Sequence, residues 1–232
     1  MSEKWEQYSQ KNYRLNSARQ ATITLTLENT LALLGEKKSG RLLDIGCGFG
    51  EIDILLTKNT DFEIVGFDIS KKAVELAREN VRKAGLENRI NIEEGDVYNL
   101  KYPDNYFDVV TSFGYVSAAT YPGVQRGIAR VLRPEGILIC DFINCLSFYK
   151  IFGSLQRLIR GNSPYYLSLS GIKREFKKEG FIFRKQKIFN SYPPLNLNLS
   201  PKIFLSFENI FGRPFRWCLA RVRLVCFSST RK

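Results

Sequence analysis

The feature that most constrains the fold of this chain is the stretch RLLDIGCGFGEIDILL at residues 41–56. An apolar run ends at Asp44, three glycines then alternate with other residues, and a second apolar stretch follows. Glycines spaced in this way indicate a backbone that takes positive φ or lets a ligand come close. A strand that leads through such a turn into a helix would direct free N–H groups at the ligand. The stretch therefore predicts a ligand-binding turn between a strand and a helix.

The spacing of these glycines, Gly46, Gly48 and Gly50, discriminates between ligands. The dinucleotide-binding pattern G-x-G-x-x-G places its third glycine one residue later, where this chain has Glu51. The observed G-x-G-x-G spacing therefore argues against a nicotinamide or flavin dinucleotide, whose pyrophosphate fits this turn poorly.

Along the chain, short apolar runs alternate with segments of helical periodicity. The runs RLLDI, EIVGFDI, RINIEEGD, YFDVVTSF and GILICDFI predict strands, as do FIFRKQKIF and ARVRLVCFS further on. Helix signals include Ser70 before and Gly85 after one segment, Ser170 before and Gly180 after a second, and Ser200 before a third. Strands that alternate with helices predict an α/β fold with a doubly wound, mostly parallel sheet covered on both faces.

Composition excludes several kinds of chemistry. The 232 residues include no histidine, so triads that depend on histidine and zinc sites with imidazole ligands are excluded. The five cysteines form no C-x-x-C pair, and we expect free thiols in a reducing compartment. No metal site is predicted.

Two further features bear on location. The N-terminal stretch MSEKWEQYSQKNYRL is polar and lacks the apolar segment of a signal peptide. No apolar run reaches the roughly 18 residues that a membrane span needs. These features predict a cytoplasmic protein.

Charge is distributed unevenly along the chain. Residues 1–141 hold 18 Lys and Arg against 20 Asp and Glu, whereas residues 142–232 hold 17 against 3. The net charges of these parts are thus −2 and +14, which make up the overall +12. An excess of one sign indicates an anionic partner such as lipid headgroups, nucleic acid or an acidic substrate. The alternative is a solvated face that keeps the protein soluble.

Two carboxylates are expected beside the glycine turn, because open parallel sheets bind ligands beyond the carboxyl ends of their strands. Asp68 ends the second predicted strand, eighteen residues after Gly50, and can accept hydrogen bonds from both hydroxyls of a ribose. Asp96 follows the third predicted strand, within reach of an adenine. One glycine-rich turn with two carboxylates fits a nucleoside that carries an amino-acid tail.

Taken in order, these motifs resemble those of class I S-adenosylmethionine-dependent methyltransferases, of the type that includes quinone and small-molecule methyltransferases. LLDIGCGFG is similar to the family's first motif and VGFDIS to its second. EEGDVYNLKYPDNYFDVVTS is similar to the third and fourth, and IARVLRPEGILI to the helix and strand that follow. The resemblance runs from about Arg41 to Asp141, and SLSGIKREFKKEGF resembles the family's late helix. It implies a seven-stranded Rossmann-like sheet and S-adenosylmethionine as cofactor, without a metal.

The resemblance also implies a role for each matched residue. The residues that would line the methionine end of the cofactor are Asp44, Gly46, Cys47, Gly48 and Gly50. Asp68 would bind the ribose, and Ile69 would pack on the adenine. The remaining residues are Asp96 and Val97, at the edge and face of the adenine, and Ser112, beside the transferring methyl group.

The segment TSFGYVSA after the fourth strand departs from two patterns of the family. It lacks the Asn/Asp-Pro-Pro-Tyr signature of many nucleic-acid amino-methylating enzymes, and Tyr115 and Val116 replace a histidine of many small-molecule relatives. Methyl transfer depends mainly on holding three atoms in line, which can supply roughly 7–11 kcal/mol. A hydroxyl acceptor would also need a base, and Tyr115 is the candidate.

We expect one structural domain in three parts. A helical segment at 1–40 precedes the S-adenosylmethionine-binding core at 41–142, and a basic part at 143–232 completes the sheet and adds substrate-lid helices. Two predicted amphipathic helices, at 147–160 and 201–211, carry basic residues beside apolar faces. Such helices lie readily on anionic lipid. They favour transfer to a small-molecule or lipid-like acceptor, with peripheral contact at the inner face of the membrane.

Other interpretations stay open at this point. The two helices could simply pack on the sheet, the basic third could track RNA phosphates in an RNA methyltransferase, or the chain could bind its cofactor without turnover. The missing nucleic-acid signature argues against RNA. Replacing Lys150, Arg157 and Arg160 by Gln should weaken binding to anionic liposomes by one to two decades if the helix at 147–160 touches lipid, at about 1 kcal/mol per charge. No pattern indicates an oligomeric state.

Overall fold

The computed structural model describes residues 17–113, 123–143, 169–189, 200–212 and 222–230. Its helices are α1 (Ser17–Leu34), α2 (Glu51–Asn59), α3 (Lys71–Ala84), α4 (Val124–Val131), α5 (Leu169–Lys178) and α6 (Pro201–Phe207). Its strands are β1 (Ser39–Ile45), β2 (Asp61–Asp68), β3 (Ile90–Glu94), β4 (Phe107–Ser112), β5 (Leu132–Ile143), β6 (Phe181–Phe189) and β7 (Val222–Ser229). A 3₁₀ turn at Val97–Asn99 and a π-helical turn at Glu208–Gly212 complete the described elements.

The strands form one seven-stranded sheet in the order β3-β2-β1-β4-β5-β7-β6. Neighbouring strands are parallel except for β7, which runs antiparallel to both β5 and β6. The prediction of a doubly wound, mostly parallel α/β sheet is confirmed. The strand order reverses beside β1, which lies between β2 and β4, and open α/β sheets bind their ligands at such a point.

Helices cover both faces of the sheet and create two apolar layers. The layer under α1, α2, α3 and α6 includes Ala21, Leu56 and Phe204, all buried. The layer under α4 and α5 includes Ile128 and Phe176. Because side chains alternate between the faces of a strand, each inner strand supplies residues to both layers.

Local signals account for most helix ends. The Ser70 hydroxyl accepts a hydrogen bond from the N–H of Ala73 at 3.1 Å, and Gly85 ends the same helix in the left-handed region. Ser200 caps α6 as predicted. The prediction that Ser170 caps α5 is wrong, because this helix already includes Leu169 and so places Ser170 inside its first turn.

Two predictions fall outside the described residues: the helix at 147–160 with its basic residues Lys150, Arg157 and Arg160, and the candidate base Tyr115. In the described ranges, α4 begins at Val124 after Gly123. None of the helices in these ranges combines the length and apolar character needed to cross a membrane.

Candidate functional site

The glycine turn joins β1 to α2 at the point where the strand order reverses. Gly46, Gly48 and Gly50 take φ values of +80°, +58° and +73°, a region that other residues rarely adopt. A Cβ atom on Gly46 or Gly48 would meet no other atom within 4 Å, so both residues face open space. A Cβ on Gly50 would instead lie 3.5 Å from the Cβ of Ala77 in α3. The first two glycines leave room for a ligand, and the third lets two helices approach.

The N–H groups of this turn are largely bound within the protein. Gly46 and Cys47 donate to the carbonyl oxygen of Phe67 at 2.6 and 3.1 Å. Gly48 donates to the Oδ2 atom of Asp68 at 3.0 Å. The expectation that the turn directs free N–H groups at a ligand is therefore wrong for these three groups, because the end of β2 supplies acceptors. The turn therefore offers a ligand open space and a fixed backbone shape, and these three N–H groups are not available to it.

Asp68 lies at the end of β2, as predicted, and connects three segments. Its Oδ2 atom accepts from Gly48, its Oδ1 atom accepts from the N–H of Ser70 at 2.9 Å, and its carbonyl oxygen accepts from Gly95 at 3.0 Å. Each carboxylate oxygen can accept more than one hydrogen bond. Asp68 can therefore hold the turn in place and still accept hydroxyl groups of a ligand.

The end of β3 is held close to Asp68 by a tight contact. A Cβ on Gly95 would lie 2.5 Å from the Phe67 ring, so only glycine lets these two strand ends meet. Asp96 follows, exposed, with its Oδ1 atom accepting from the N–H of Tyr98 at 3.0 Å. Val97 is half-buried. The structure thus brings Asp96 and Val97 to the same edge of the sheet as Asp68.

Two other predicted site residues, Ser112 and Cys47, have their polar groups turned into the protein. Ile69, which follows β2, is half-buried. The hydroxyl of Ser112, the last residue of β4, donates to the carbonyl oxygen of Ile45 at 2.9 Å and ties β4 to β1. Cys47 is buried, and burial raises the pKa of its thiol well above the ordinary value. Both side chains are part of the wall behind the turn.

Asp44 is buried on the face of the sheet that α2 covers. It pairs in register with Gly66 of β2 and Thr111 of β4, so these three residues form a row across the sheet. The Thr111 hydroxyl donates to the Oδ1 atom of Asp44 at 2.7 Å. Burial raises the pKa of Asp44 to about 6, although the hydrogen bonds with Thr111 and with Asp53 oppose this rise.

Asp53 is a site residue that the sequence reasoning missed. It lies in the first turn of α2, is fully buried, and has its Oδ2 atom 2.7 Å from where a Cβ on Gly66 would stand. Burial raises its pKa well above the ordinary value, and the charge of Asp44 adds to this. The spacing of Asp53, Leu56 and Thr57 along the sequence indicates that they share one helical face. The structure buries all three, so Asp53 could have been recognised as an inward-facing residue.

Helix α1 lies against the outer side of the turn. The Nη2 atom of Arg19 is 2.8 Å from the Oε2 atom of Glu51, and its guanidinium carbon lies 4.8 Å from the centre of the Phe49 ring. Burial raises the pKa of Glu51, while the Arg19 charge acts in the opposite direction. The N-terminal helix is thereby joined to the residues that follow the second and third glycines.

A surface groove of about 470 Å³ also borders the turn, between α2 and α3. Its lining includes Phe49, Glu51, Lys58 and Lys83, but none of the carboxylates at the strand ends. It therefore lies on the outer side of the turn, away from Asp68. In the described ranges, no three His, Cys, Asp or Glu side chains are grouped so that they could hold a metal ion.

The strand order and the helices on both faces of the sheet define a Rossmann-like fold, with open space at its glycine turn. Residues 36–188 match the family model of a methyltransferase domain, and the chain belongs to this family, the class I S-adenosylmethionine-dependent methyltransferases.

Two relatives illustrate the similarity. The 27-O-demethylrifamycin SV methyltransferase of Amycolatopsis mediterranei is 40% identical over 128 residues, which cover 53% of this chain and 46% of the relative. The demethylmenaquinone methyltransferase of Lactobacillus johnsonii is 30% identical over 147 residues, 58% of this chain and 60% of the relative. The chain thus matches less than two thirds of the length of each relative.

A solved structure shows the same fold. Geranyl diphosphate methyltransferase in complex with SAM superposes with a TM-score of 0.65 at 14% identity, covering 88% of this chain and 84% of that one. At this identity the likeness concerns the fold alone.

Proposed function

We propose that this protein is an S-adenosylmethionine-dependent methyltransferase that acts on a small-molecule or lipid-like acceptor. The observation that carries the proposal is the open space before Gly46 and Gly48, directly beside the Asp68 carboxylate. A side chain at either glycine would occupy the space that a ligand needs. The membership in a methyltransferase family supports the same conclusion.

In this proposal, most residues of the site contact one part of the cofactor, and Asp44 and Gly50 support them from behind. Gly46, Cys47 and Gly48 line its methionine end, with Asp44 behind them, and Asp68 accepts hydrogen bonds from its ribose hydroxyls. When bound, S-adenosylmethionine supplies a methyl group on a positively charged sulfur. Adenine contacts are assigned to Ile69, Asp96 and Val97, and the methyl-group side to Ser112. Gly50 contributes through the packing of α2 on α3.

The chain's task in catalysis is then to hold the acceptor in line with the methyl group. Holding the reactants in this way can supply roughly 7–11 kcal/mol. The Ser112 hydroxyl is bound to a carbonyl oxygen and the Cys47 thiol keeps its proton, so neither is suited to act as a base. An amine, thiol or enolised carbon acceptor requires no strong base, and for a hydroxyl acceptor Tyr115 remains the proposed one.

The acceptor class is suggested by the relatives and by the surface. The similar proteins named above are methyltransferases for a rifamycin and a menaquinone precursor, which are small organic molecules. In the last third of this chain, Ile182, Ile203 and Ile210 are 47%, 50% and 65% exposed. Lys202 adds an exposed positive charge next to Ile203. Exposed apolar residues among basic ones favour peripheral contact with an anionic membrane.

Calorimetry with S-adenosylmethionine tests the first half of the proposal. We expect one site per chain, and the absence of binding would contradict the proposal. Incubation with labelled S-adenosylmethionine and fractionated cell extract tests the second half, and we expect label in the lipid or small-molecule fraction. Cofactor binding without a labelled product in any fraction would indicate a binding protein, and label in RNA would indicate an RNA methyltransferase.

A further inference from the structure

Two buried carboxyl groups lie next to each other directly behind the glycine turn. Asp44 faces α2 because it occupies the same side of β1 as the buried Leu42, two residues before it. Asp53 extends from α2 toward that side and lies over Gly66, the register partner of Asp44. Asp44 is 3% exposed and Asp53 is 0% exposed. Bulk solvent therefore hardly reaches either carboxyl group.

The rest of the described protein does little to balance negative charge on these two carboxyl groups. Asp44 receives one hydrogen bond, from Thr111, whereas no N–H or hydroxyl group of the described residues donates to either oxygen of Asp53. No Lys or Arg in the described ranges forms an ion pair with either carboxyl group. The nearby cation, Arg19, is bound to Glu51. Two buried carboxylates this close cannot both be ionised, so they share a proton.

The negative charges of neighbouring carboxylates raise the pKa values of the pair, Asp68 that of Asp44 and Glu51 that of Asp53. Asp68 at the end of β2 and Asp53 in α2 face Asp44, while Cys47 in the turn faces both. Glu51 in α2 adds to the negative potential at Asp53. A hydrogen bond between the two carboxyl groups would lower the pKa of Asp44 and raise that of Asp53. Because the Thr111 hydroxyl donates to Asp44 and no described group donates to Asp53, a negative charge is better stabilised on Asp44, and the proton is assigned to Asp53.

We propose that Asp53 is a positioning residue: it donates its proton to Asp44 and keeps one buried negative charge behind the glycine turn. That charge attracts the cationic cofactor, and it has no counter-charge in the described part of the protein. This inference rests on the proposed function, since a cation must bind at the turn. At a pH below the titration midpoint of Asp44, both carboxyl groups are protonated. Binding of the cationic cofactor must then release one proton to the solvent.

The test compares S-adenosylmethionine affinity between pH 5 and pH 8 in the wild type, Asp53→Asn and Asp53→Leu. We expect the wild-type affinity to fall about tenfold as the pH decreases through the midpoint near 6. Asp53→Leu removes the donor, and the midpoint should rise by about one pH unit or more, since a hydrogen bond to a charged group is worth this much. Asp53→Asn retains an N–H donor and should restore the lower midpoint.

Asp61, exposed at the opposite end of β2, provides the matched control. Asp61→Leu and Asp61→Asn should keep the wild-type midpoint. If Asp53 had only a structural role, Asp53→Leu would change the melting temperature of the protein but leave the midpoint of the pH dependence unchanged. An Asp53→Leu midpoint equal to that of Asp61→Leu would therefore overturn the proposal.

A second measurement is independent of the cofactor. Infrared spectra of the protein with ¹³C-labelled aspartate should show a protonated carboxyl group at pH 7.5 that disappears in Asp53→Asn and persists in Asp61→Asn. The absence of this band in the wild type overturns the shared proton. If the band is present but S-adenosylmethionine does not bind, the proposed function fails while the shared proton stands.

Discussion

The part of the chain around the glycine turn, residues 39–113, and the C-terminal third, residues 142–232, contribute to the same sheet in different ways. In the first, parallel strands follow one another through short connections, and strand ends converge on Asp68. In the second, β7 inserts antiparallel between β5 and β6, far along the chain from its β5 partner. The first part builds a site from neighbouring segments, whereas the second extends the sheet through long-range pairing.

The two parts also place charge differently. Around the glycine turn, carboxyl groups point inward, as Asp44 and Asp53 show, and a positively charged ligand would balance them. In the described ranges of the C-terminal third, Arg174, Lys177, Lys178 and Lys202 are exposed, whereas Arg223 is buried. Lys173 packs its ammonium group 3.5 Å from the centre of the Phe183 ring. Exposed isoleucines accompany them. This contrast underlies the two proposals made above, a small cationic ligand for the first part and an anionic membrane surface for the second.

The largest effect is expected from Gly48→Val. Valine resists the positive φ of this position and would fill the open space beside Asp68, so binding of S-adenosylmethionine should be abolished. Calorimetry measures this directly. Gly85→Val is a matched control, since Gly85 also has a positive φ and open space but ends α3. Equal loss of binding in both variants would show that strain, and not the site, is responsible.

Asp68→Ala should have the next largest effect. It removes a charged acceptor of the proposed ribose hydrogen bonds and the partner of the Gly48 N–H. We expect weaker S-adenosylmethionine binding by about 1.5–3 kcal/mol, or roughly tenfold to 150-fold. Asp61→Ala, at the other end of β2, should bind like the wild type. Unchanged affinity in a folded Asp68→Ala protein would remove Asp68 from the site.

A smaller effect is expected when Ile203 and Ile210 are both replaced by Ser. If their exposed side chains enter the membrane surface, association with anionic liposomes should weaken by about tenfold, while cofactor affinity stays constant. Liposome flotation at two salt concentrations separates the apolar contribution to membrane association from the electrostatic contribution, which salt screens. Tyr98→Ser is the control, since Tyr98 is 51% exposed but lies beside the glycine-turn site.

The outcome of the flotation experiment also separates the alternative partners. Wild-type protein that binds neither anionic nor neutral liposomes, but binds RNA in a salt-sensitive way, would contradict the membrane proposal and favour nucleic acid. Protein that binds none of the three would assign the C-terminal helices to a lid or core over a small-molecule site.

The smallest effect concerns the helix caps of the two parts. Ser70→Ala should lower the free energy of unfolding by about 1 kcal/mol, because the Ala73 N–H loses the buried hydroxyl that accepts its hydrogen bond. Ser200→Ala should cost less, since its bond to Lys202 is 3.4 Å long and exposed. Urea unfolding measures both. A larger loss for Ser200→Ala would contradict this ranking of the caps.

Features that depend on neighbouring residues could be predicted from the sequence. The three alternating glycines indicated the turn because few other residues take positive φ, and Ser70 with Gly85 marked a helix through local hydrogen bonds. The position of Asp68 at a strand end followed from apolar alternation. The family motifs then implied the seven-stranded sheet, which the structure confirms.

Features that depend on distant segments were decided only by the tertiary structure. The turn's N–H groups bind the end of β2 because Phe67 lies beside them in space, and Asp53 belongs to the site because α2 crosses over Gly66. No spacing along the chain encodes either contact. Burial then changes the chemistry: Asp53, which the sequence presents as an ordinary charged residue, becomes one half of a buried carboxyl pair that has no ion-pair partner in the described ranges. The sequence by itself determined the turn and its acidic neighbours, and the packing of α2 on the sheet decided which of them keep their charge.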